Sequence, residues 1–124
     1  ADHPIFLETG AEPIAGSTRM NAGTAQRITL TLMSTLLMIR LGRVYRGLMV
    51  EVQATNVKLT QRKQRMLQYL SGKSDRHVRE ALIRADGNLK VALLVLHGCD
   101  TEQARDLLTR TDGHLRAAIE LARR

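Results

Sequence analysis

The fold of this chain is decided by a stretch that occurs twice, first as Arg84-Ala85-Asp86-Gly87-Asn88-Leu89 and again, 26 residues later, as Arg110-Thr111-Asp112-Gly113-His114-Leu115. The similarity extends over residues 79–92 and 105–118, with helically spaced apolar residues on both sides of an Asp-Gly turn. Because glycine adopts the left-handed conformation without steric cost, each copy is predicted to be a helix–turn–helix unit. Two copies are too few for a solenoid, which favours compact packing of short helices.

Capping residues indicate where these short helices begin. Asn88 is a strong N-cap candidate for the second helix of the first copy, and His114 is a weaker candidate in the second copy. Ser74 and Thr101 are the predicted N-caps of the two opening helices. Neither is followed three residues later by Glu or Gln, so no capping box is predicted.

Two longer helices are predicted upstream of the repeat. Apolar residues at three- and four-residue spacings over 28–41 fill most of the helix circumference, which is typical of a helix covered on several sides. Gly42 and Gly47 flank a break, and the second helix is predicted from about Ala54 to Leu70. Its predicted inward residues are Val57, Met66, Leu67 and Leu70, and its predicted outward residues are Lys58, Arg62, Lys63 and Arg65.

The beginning of the chain predicts a short strand. Pro4-Ile5-Phe6-Leu7-Glu8 is a brief apolar run that ends at Gly10, and its lack of alternation suits a buried strand of a parallel sheet. No second convincing strand occurs in the chain. A lone strand cannot pair with itself, so the chain is predicted to be a fragment of something larger.

Composition excludes several classes of protein. The chain has 124 residues and 44% hydrophobic residues, which indicates one globular domain rather than disorder. Its single cysteine, Cys99, excludes an internal disulfide and every multi-cysteine zinc site. The longest uncharged apolar stretch, Ile28 to Ile39, is too short to cross a bilayer, and residues 1–10 do not read as a signal peptide. A soluble, cytoplasmic protein without membrane contact is therefore expected.

The net charge of +7 is concentrated in residues 21–70, where Glu51 is the one acidic residue. Such an excess can mark a surface for nucleic acid or for phosphorylated small molecules, or it can simply solvate the outer faces of helices. The basic residues are widely spread, and the chain has two tyrosines, one phenylalanine and no tryptophan with which to stack on bases. A nucleic-acid partner is therefore not expected.

Residues 10–27 hold the candidate site. They place small residues, the hydroxyls of Ser17 and Thr18 and the guanidinium of Arg19 at the start of a long helix. Free backbone N–H groups at a helix N-terminus, hydroxyl donors and a guanidinium together suit an anion. A glycine-rich helix entry with ordinary capping explains the same residues, and the residues alone leave both interpretations open.

This stretch resembles the signature of the N-acetylmuramic acid 6-phosphate etherases and the related glucokinase regulatory protein. The matching residues are Gly10, Glu12, Gly16, Ser17, Thr18, Arg19 and Met20. The resemblance continues through residues 22–26, 41–45 and 48–56. Three positions depart from the usual pattern, with Ala11 in place of proline and Asn21 and Arg27 in place of lysines.

The resemblance implies a fold and a domain division. Residues 1–72 would be the C-terminal part of a sugar isomerase (SIS) domain, an α/β fold with a doubly wound parallel sheet. Residues 73–124, with the internal repeat, would form a small helical domain similar to ubiquitin-associated (UBA) domains. The chain itself is expected to be mainly α-helical.

The resemblance also implies a function. Etherases of this family are lyases of cell-wall sugar recycling that cleave the lactyl ether of N-acetylmuramic acid 6-phosphate, giving N-acetylglucosamine 6-phosphate and D-lactate without a cofactor. The residues implied to bind the sugar phosphate are Glu12, Gly16, Ser17, Thr18 and Arg19. The acid and base glutamates of the family belong to the part of the fold that precedes this sequence. The chain alone is therefore expected to be inactive.

No catalytic or metal-binding residue is assigned within the chain. Glu12 is the one carboxylate in the motif, and acid–base catalysis by a carboxylate usually needs a tuned pKa and a partner. The four histidines share no metal-ligand spacing, so no metal site is predicted. Cys99 has no nearby histidine or acid that would complete a triad and is expected to be inert.

Two alternatives to the enzyme remain, a non-catalytic sugar-phosphate-binding regulator and a helical module that binds protein or nucleic acid. For a peptide-binding groove, the burial of Leu89, Leu93, Leu115 and Ile119 is decisive. The helical tail is too small to cover both the predicted strand and the apolar helix. The chain is therefore expected to associate with an upstream SIS segment, with a second copy through residues 28–70, or with both.

Overall fold

The computed structural model describes residues 2–53 and 56–123 and divides into two compact units, Ala1–Met38 and Ile39–Arg124. The described residues form six helices and one small hairpin. In chain order these are α1 (Asn21–Arg40), β1 (Val44–Tyr45), β2 (Leu48–Met49), α2 (Val57–Ser71), α3 (Asp75–Arg84), α4 (Leu89–Leu96), α5 (Thr101–Arg110) and α6 (Leu115–Ala122). The prediction of a mainly helical chain is confirmed.

The first unit consists of an irregular segment followed by most of α1. The strand predicted at Pro4–Glu8 is wrong, because the segment takes neither helical nor strand structure. A strand exists only through hydrogen bonds to a neighbour, and no part of residues 2–53 or 56–123 pairs with this segment. None of the described residues of α1 is buried, and Leu30 is 66% exposed. Residues 2–53 and 56–123 therefore do not provide the cover that this apolar helix was predicted to have.

The second unit begins with a β-hairpin at the predicted break. Its strands are antiparallel and pair Val44 with Met49 and Tyr45 with Leu48. Arg46 and Gly47 connect them with φ of 47° and 74°, which is the geometry of a two-residue primed turn. The expectation that no further strand occurs is wrong here, because strands of two residues are too short to show an alternating pattern.

Helix α2 begins after Asn56, whose side chain accepts a hydrogen bond from the Leu59 N–H at 2.9 Å. The predicted start at Ala54 lies outside the described residues. Met66, Leu67 and Leu70 are buried as predicted. The positions of Val57 and Lys63 were predicted wrongly.

Val57 is 75% exposed, whereas Lys63 is 7% exposed. Lys63 precedes Leu67 by four residues and Leu70 by seven, and this spacing places it on the same face of the helix. Val57 lies off that face. Helical geometry therefore decides the burial of both residues against their usual preferences.

The repeat is confirmed as two helix–turn–helix units, α3–α4 and α5–α6. The Gly87 N–H donates to the Leu82 carbonyl at 2.9 Å, and the equivalent Gly113 N–H donates to the Leu108 carbonyl at 2.8 Å. Both glycines have positive φ, of 73° and 74°. The aspartates that precede them also have positive φ, which aspartate tolerates better than most residues.

Capping agrees with the sequence at Asn88, whose side chain accepts from the Val91 N–H at 3.1 Å. Ser74 and His114 occupy N-cap positions without a side-chain capping bond. The prediction for Thr101 is wrong, because Asp100 is the N-cap of α5. Asp100 and Gln103 form a capping box, with bonds of 2.8 and 3.2 Å between the side chain of each and the backbone N–H of the other.

The core of the second unit joins α2 to all four repeat helices. Its largest fully buried side chains are Leu67, Leu93, Leu94, Val50, Val78 and Val91. Leu89, Leu93, Leu115 and Ile119 belong to the same buried cluster, so they leave no apolar groove for a peptide. The domain boundary predicted at residue 72 stays a prediction.

Candidate functional site

The loop of residues 10–20 leads directly into α1 and presents three consecutive polar side chains. Ser17 is half-buried, and Thr18 and Arg19 are exposed. A turn closed by the Ser17 N–H and the Ile14 carbonyl at 3.0 Å precedes them. Gly16 has a φ of 81°, so the chain reverses here in a conformation that suits glycine. The structure thus places Gly16 and Ser17 in this turn and Thr18 and Arg19 in the next one, where the Met20 N–H donates to the Ser17 carbonyl at 3.5 Å.

Glu12 caps α1 with both carboxylate oxygens. Oε2 accepts a hydrogen bond from the Asn21 N–H at 2.9 Å, and Oε1 accepts one from the Ala22 N–H at 3.0 Å. A carboxylate is favoured at this end of a helix because the unpaired N–H groups and the helix dipole are both positive there. Glu12 therefore anchors the loop to the first turn of α1.

Two of the three departures from the etherase signature contact each other. The side-chain Nδ2 of Asn21 donates to the Ala11 carbonyl at 3.1 Å. Together with the two bonds of Glu12, this contact closes the loop across residues 11–22. The asparagine that replaces the usual lysine thus has a structural partner within the loop.

Backbone N–H groups at the start of α1 are occupied. The first two donate to Glu12, the Gly23 N–H donates to the Thr18 carbonyl at 2.9 Å, and the Thr24 N–H donates to the Met20 carbonyl at 3.1 Å. The expectation that this helix end offers free N–H groups to an anion is therefore wrong for these four residues. The side chains of Ser17, Thr18 and Arg19 are donors that suit an oxyanion.

The residues that the structure describes give little support for a metal site or a reactive cysteine. Within residues 2–53 and 56–123, no group of three or more His, Cys, Asp and Glu side chains is placed to hold a metal ion. Cys99 is half-buried, and its burial together with the nearby Asp100 raises the pKa of its thiol. A raised pKa keeps the thiol protonated and weakly nucleophilic at neutral pH.

None of the described helices has the combination of length and apolar character that a membrane-spanning segment requires.

Comparison with known proteins connects this chain to one group of enzymes. Over 95 residues the chain is 47% identical to the N-acetylmuramic acid 6-phosphate etherase of Deinococcus radiodurans and 52% identical to that of Thermobifida fusca. Both alignments cover 77% of this chain. The chain is similar to the N-acetylmuramic acid 6-phosphate etherases. No family model matches the chain.

The similarity to the etherases covers only part of their length. The two alignments span 31% of each relative, and an alignment with the etherase of Halalkalibacterium halodurans, at 42% identity, spans 83% of this chain and 35% of the relative. The matched region is the C-terminal part of these longer proteins. The resemblance inferred from the signature is thus confirmed, and the chain corresponds to about a third of an etherase.

Proposed function

We propose that this chain is the C-terminal part of an etherase that cleaves the lactyl ether of N-acetylmuramic acid 6-phosphate to N-acetylglucosamine 6-phosphate and D-lactate. The observation that carries the proposal is the identity of 47–52% to proteins of that name over 77% of this chain. The chain would supply one wall of the sugar-phosphate pocket. As part of the same proposal, residues 1–72 complete an SIS domain, residues 73–124 form the UBA-like domain, and the protein acts in the cytoplasm.

The proposed binding wall is formed by Gly16, Ser17, Thr18 and Arg19 in the two consecutive turns that precede α1. Two hydroxyls and a guanidinium are hydrogen-bond donors of the kind that hold a phosphate or a sugar oxygen. Gly16 lacks a side chain, so a ligand can approach its backbone closely. Glu12 serves the site as a positioning residue, because its bonds to the first two N–H groups of α1 hold the turn in place.

Cleavage of the lactyl ether by elimination needs a base to remove a proton from the sugar, an acid to protonate the departing lactate oxygen, and a water to add afterwards. Glu12 uses both of its oxygens as acceptors in capping α1. We therefore assign the base and the acid to the remainder of the etherase, and the 124-residue chain alone is expected to release no lactate.

A chimera tests this proposal directly. The C-terminal part of the Deinococcus radiodurans etherase, which is 47% identical to this chain, is replaced by this chain, and lactate release from N-acetylmuramic acid 6-phosphate is measured. The chimera is expected to be active, and Arg19→Gln is expected to raise its KM about tenfold or more through the loss of a charged hydrogen bond. Arg84→Gln, an exposed arginine of α3, is the matched control. A folded chimera without activity would contradict the proposal.

A non-catalytic sugar-phosphate-binding protein is the second candidate, and the Asn21 contact favours it. The residue that replaces the usual lysine donates to the Ala11 carbonyl, so the loop has one cation fewer beside the proposed pocket. Asn21→Lys in the chimera distinguishes the two candidates. A regulator binds the sugar phosphate without turnover whether or not the lysine is restored.

The exposed apolar surface of α1 indicates that this helix packs against further protein. Its exposed residues on several sides of the helix include Ile28, Leu30, Leu32, Met33, Leu36, Leu37 and Ile39. Burying such a surface is favourable by about 25 cal/mol per Å². We propose that the preceding part of the SIS domain covers one side and that a second copy covers another.

A further inference from the structure

A groove of about 560 Å³ lies within the second unit, between the segment that follows the hairpin, α2 and the first Asp-Gly turn. It contains none of residues 10–27. Side chains with N–H donors line it, and they belong to Lys63, Lys90, Gln53 and Asn88. The two lysines are 7% exposed, although lysine is among the residue types that are least often buried.

Both lysines bind the glycine carbonyl of an Asp-Gly turn. The Lys63 Nζ donates to the Gly87 oxygen at 2.7 Å, and the Lys90 Nζ donates to the Gly113 oxygen at 2.9 Å. The two turns are thus held in the same way, each by a lysine from the helix that precedes its unit. This common role explains why a lysine is placed at each position.

The two lysines differ in whether a nearby carboxylate neutralises their charge. Lys90 also donates to Glu51 Oε2 at 3.0 Å. Among residues 2–53 and 56–123, no carboxylate lies within ion-pair distance of Lys63. A buried charge without an opposing charge is unfavourable, and burial lowers the pKa of the Lys63 ammonium.

Carboxylates that line the groove are already paired with other cations. Glu51 lies 3.0 Å from the Lys90 Nζ and 3.9 Å from the Arg43 Nε. Asp86 lies 2.7 Å from Arg105 Nη2. Of the cations in and around the groove, Lys63 is the one without a carboxylate among the residues described.

We propose that this groove binds a small oxyanion, either inorganic phosphate or the phosphate group of a monoester, which provides the opposing charge for Lys63. An ammonium has three N–H donors, and the bond to Gly87 uses one of them. The remaining two, with the Asn88 side-chain amide, suit the several acceptor oxygens of a phosphate. Neither the signature loop nor ether cleavage is needed for this binding.

The test is a titration of the 124-residue chain with inorganic phosphate, and separately with glycerol 3-phosphate, at constant ionic strength and followed by amide chemical shifts. Saturable shifts are expected at Gly87, Asn88 and Leu89. Lys63→Met is expected to weaken binding about tenfold or more, and Lys63→Arg is expected to retain it. Lys73→Gln, an exposed lysine outside the groove, is the matched control and is expected to bind normally. The tighter of the two ligands identifies the source of the phosphate.

Three outcomes would overturn the proposal. The first is the absence of saturable shifts with either ligand, and the second is equal affinity in Lys63→Met and the unmodified chain. The third is a saturable shift in the unmodified chain that maps to residues 16–22 or to the exposed face of α2 instead of the groove. This third outcome can be measured even if Lys63→Met does not fold.

Discussion

Gly42 lies against Gly113, and a Cβ atom on Gly42 would stand 3.0 Å from the Gly113 carbonyl oxygen. The same Cβ would lie 3.2 Å from the Cα and Cγ atoms of His114. Gly42 also has a φ of 66°, a backbone angle that residues with a side chain rarely adopt. The residue that leads into the hairpin thus packs on the backbone of the second Asp-Gly turn, and both space and conformation require a glycine there.

Gly42→Ala is therefore expected to destabilise the second unit by about 2–4 kcal/mol, since it combines backbone strain with a contact that must be relieved. Gly47→Ala is the matched control, because Gly47 has a φ of 74° and a Cβ atom added to it would meet nothing within 4 Å. That variant should lose only about 1 kcal/mol through its conformation. Urea denaturation of both variants measures the difference, and equal losses would show that the contact has no energetic effect.

The Glu51–Lys90 ion pair is expected to be asymmetric in its contribution to stability. The Lys90 side chain is 9% exposed and also binds the Gly113 carbonyl, whereas the Glu51 side chain is 50% exposed. Lys90→Met leaves both acceptors without their donor and should cost about 2–4 kcal/mol. Glu51→Gln removes the opposing charge of Lys90 but keeps a side-chain oxygen as its acceptor, and it should cost about 1 kcal/mol. Free energies of unfolding at neutral pH check the order, which would be reversed if Glu51 dominated the pair.

The helical repeat could be predicted from the sequence because its signals are local. Apolar spacing and an Asp-Gly turn lie within a few residues of each other, and they specify each helix–turn–helix unit whatever surrounds it. The cap at Asn88 is equally local. The start of α5 was predicted one residue too late, because aspartate and threonine both cap helices and the reciprocal bonds with Gln103 belong to Asp100.

Features that depend on distant residues could not be predicted in the same way. The apolar run at Pro4–Glu8 has strand-like composition, but strand formation requires a partner that the described residues do not provide. Lys63 was placed outward because of its charge, although its spacing to Leu67 and Leu70 sets it on the inner face. The capping of α1 by Glu12 spans nine or ten residues of irregular loop and has no sequence spacing that would reveal it.

The lowered pKa of Lys63 predicts a pH dependence of stability. With a folded-state pKa below its unfolded value of 10.5, Lys63 binds more protons in the unfolded state over the interval between these two pKa values. Stability therefore rises with pH across that interval, and the penalty from Lys63 is fully present below it. In phosphate-free buffer, the unfolding free energy of Lys63→Met should lack this rise. Parallel pH curves for Lys63→Met and the unmodified chain would contradict the burial of the charge.

Removal of the Glu12 carboxylate is expected to loosen the start of α1. Glu12→Ala deprives two N–H groups of their acceptors, and loss of a helix N-cap costs about 0.5–2 kcal/mol. Amide hydrogen exchange at Asn21 and Ala22 should accelerate accordingly. Glu8→Ala removes an exposed carboxylate of the same segment and should leave exchange unchanged. In the etherase chimera, Glu12→Ala should raise the KM, because the turn at Ser17–Arg19 loses its anchor, and unchanged kinetics would exclude this positioning role.

The chain is expected to self-associate through α1. Leu37 is 54% exposed and lies one helical turn from Met33 and two from Leu30, which are 51% and 66% exposed. Burying this stripe in a second copy would be strongly disfavoured by a charge at its centre, so Leu37→Glu is expected to shift a dimer to monomer in sedimentation at micromolar concentration. Thr35→Glu adds the same charge at an exposed polar position of α1 and should leave the dimer intact. Circular dichroism should show that the helices of residues 74–123 stay folded in both variants. An unmodified chain that sediments as a monomer would leave the upstream SIS segment as the proposed cover for this helix and would rule out the homodimer at that concentration.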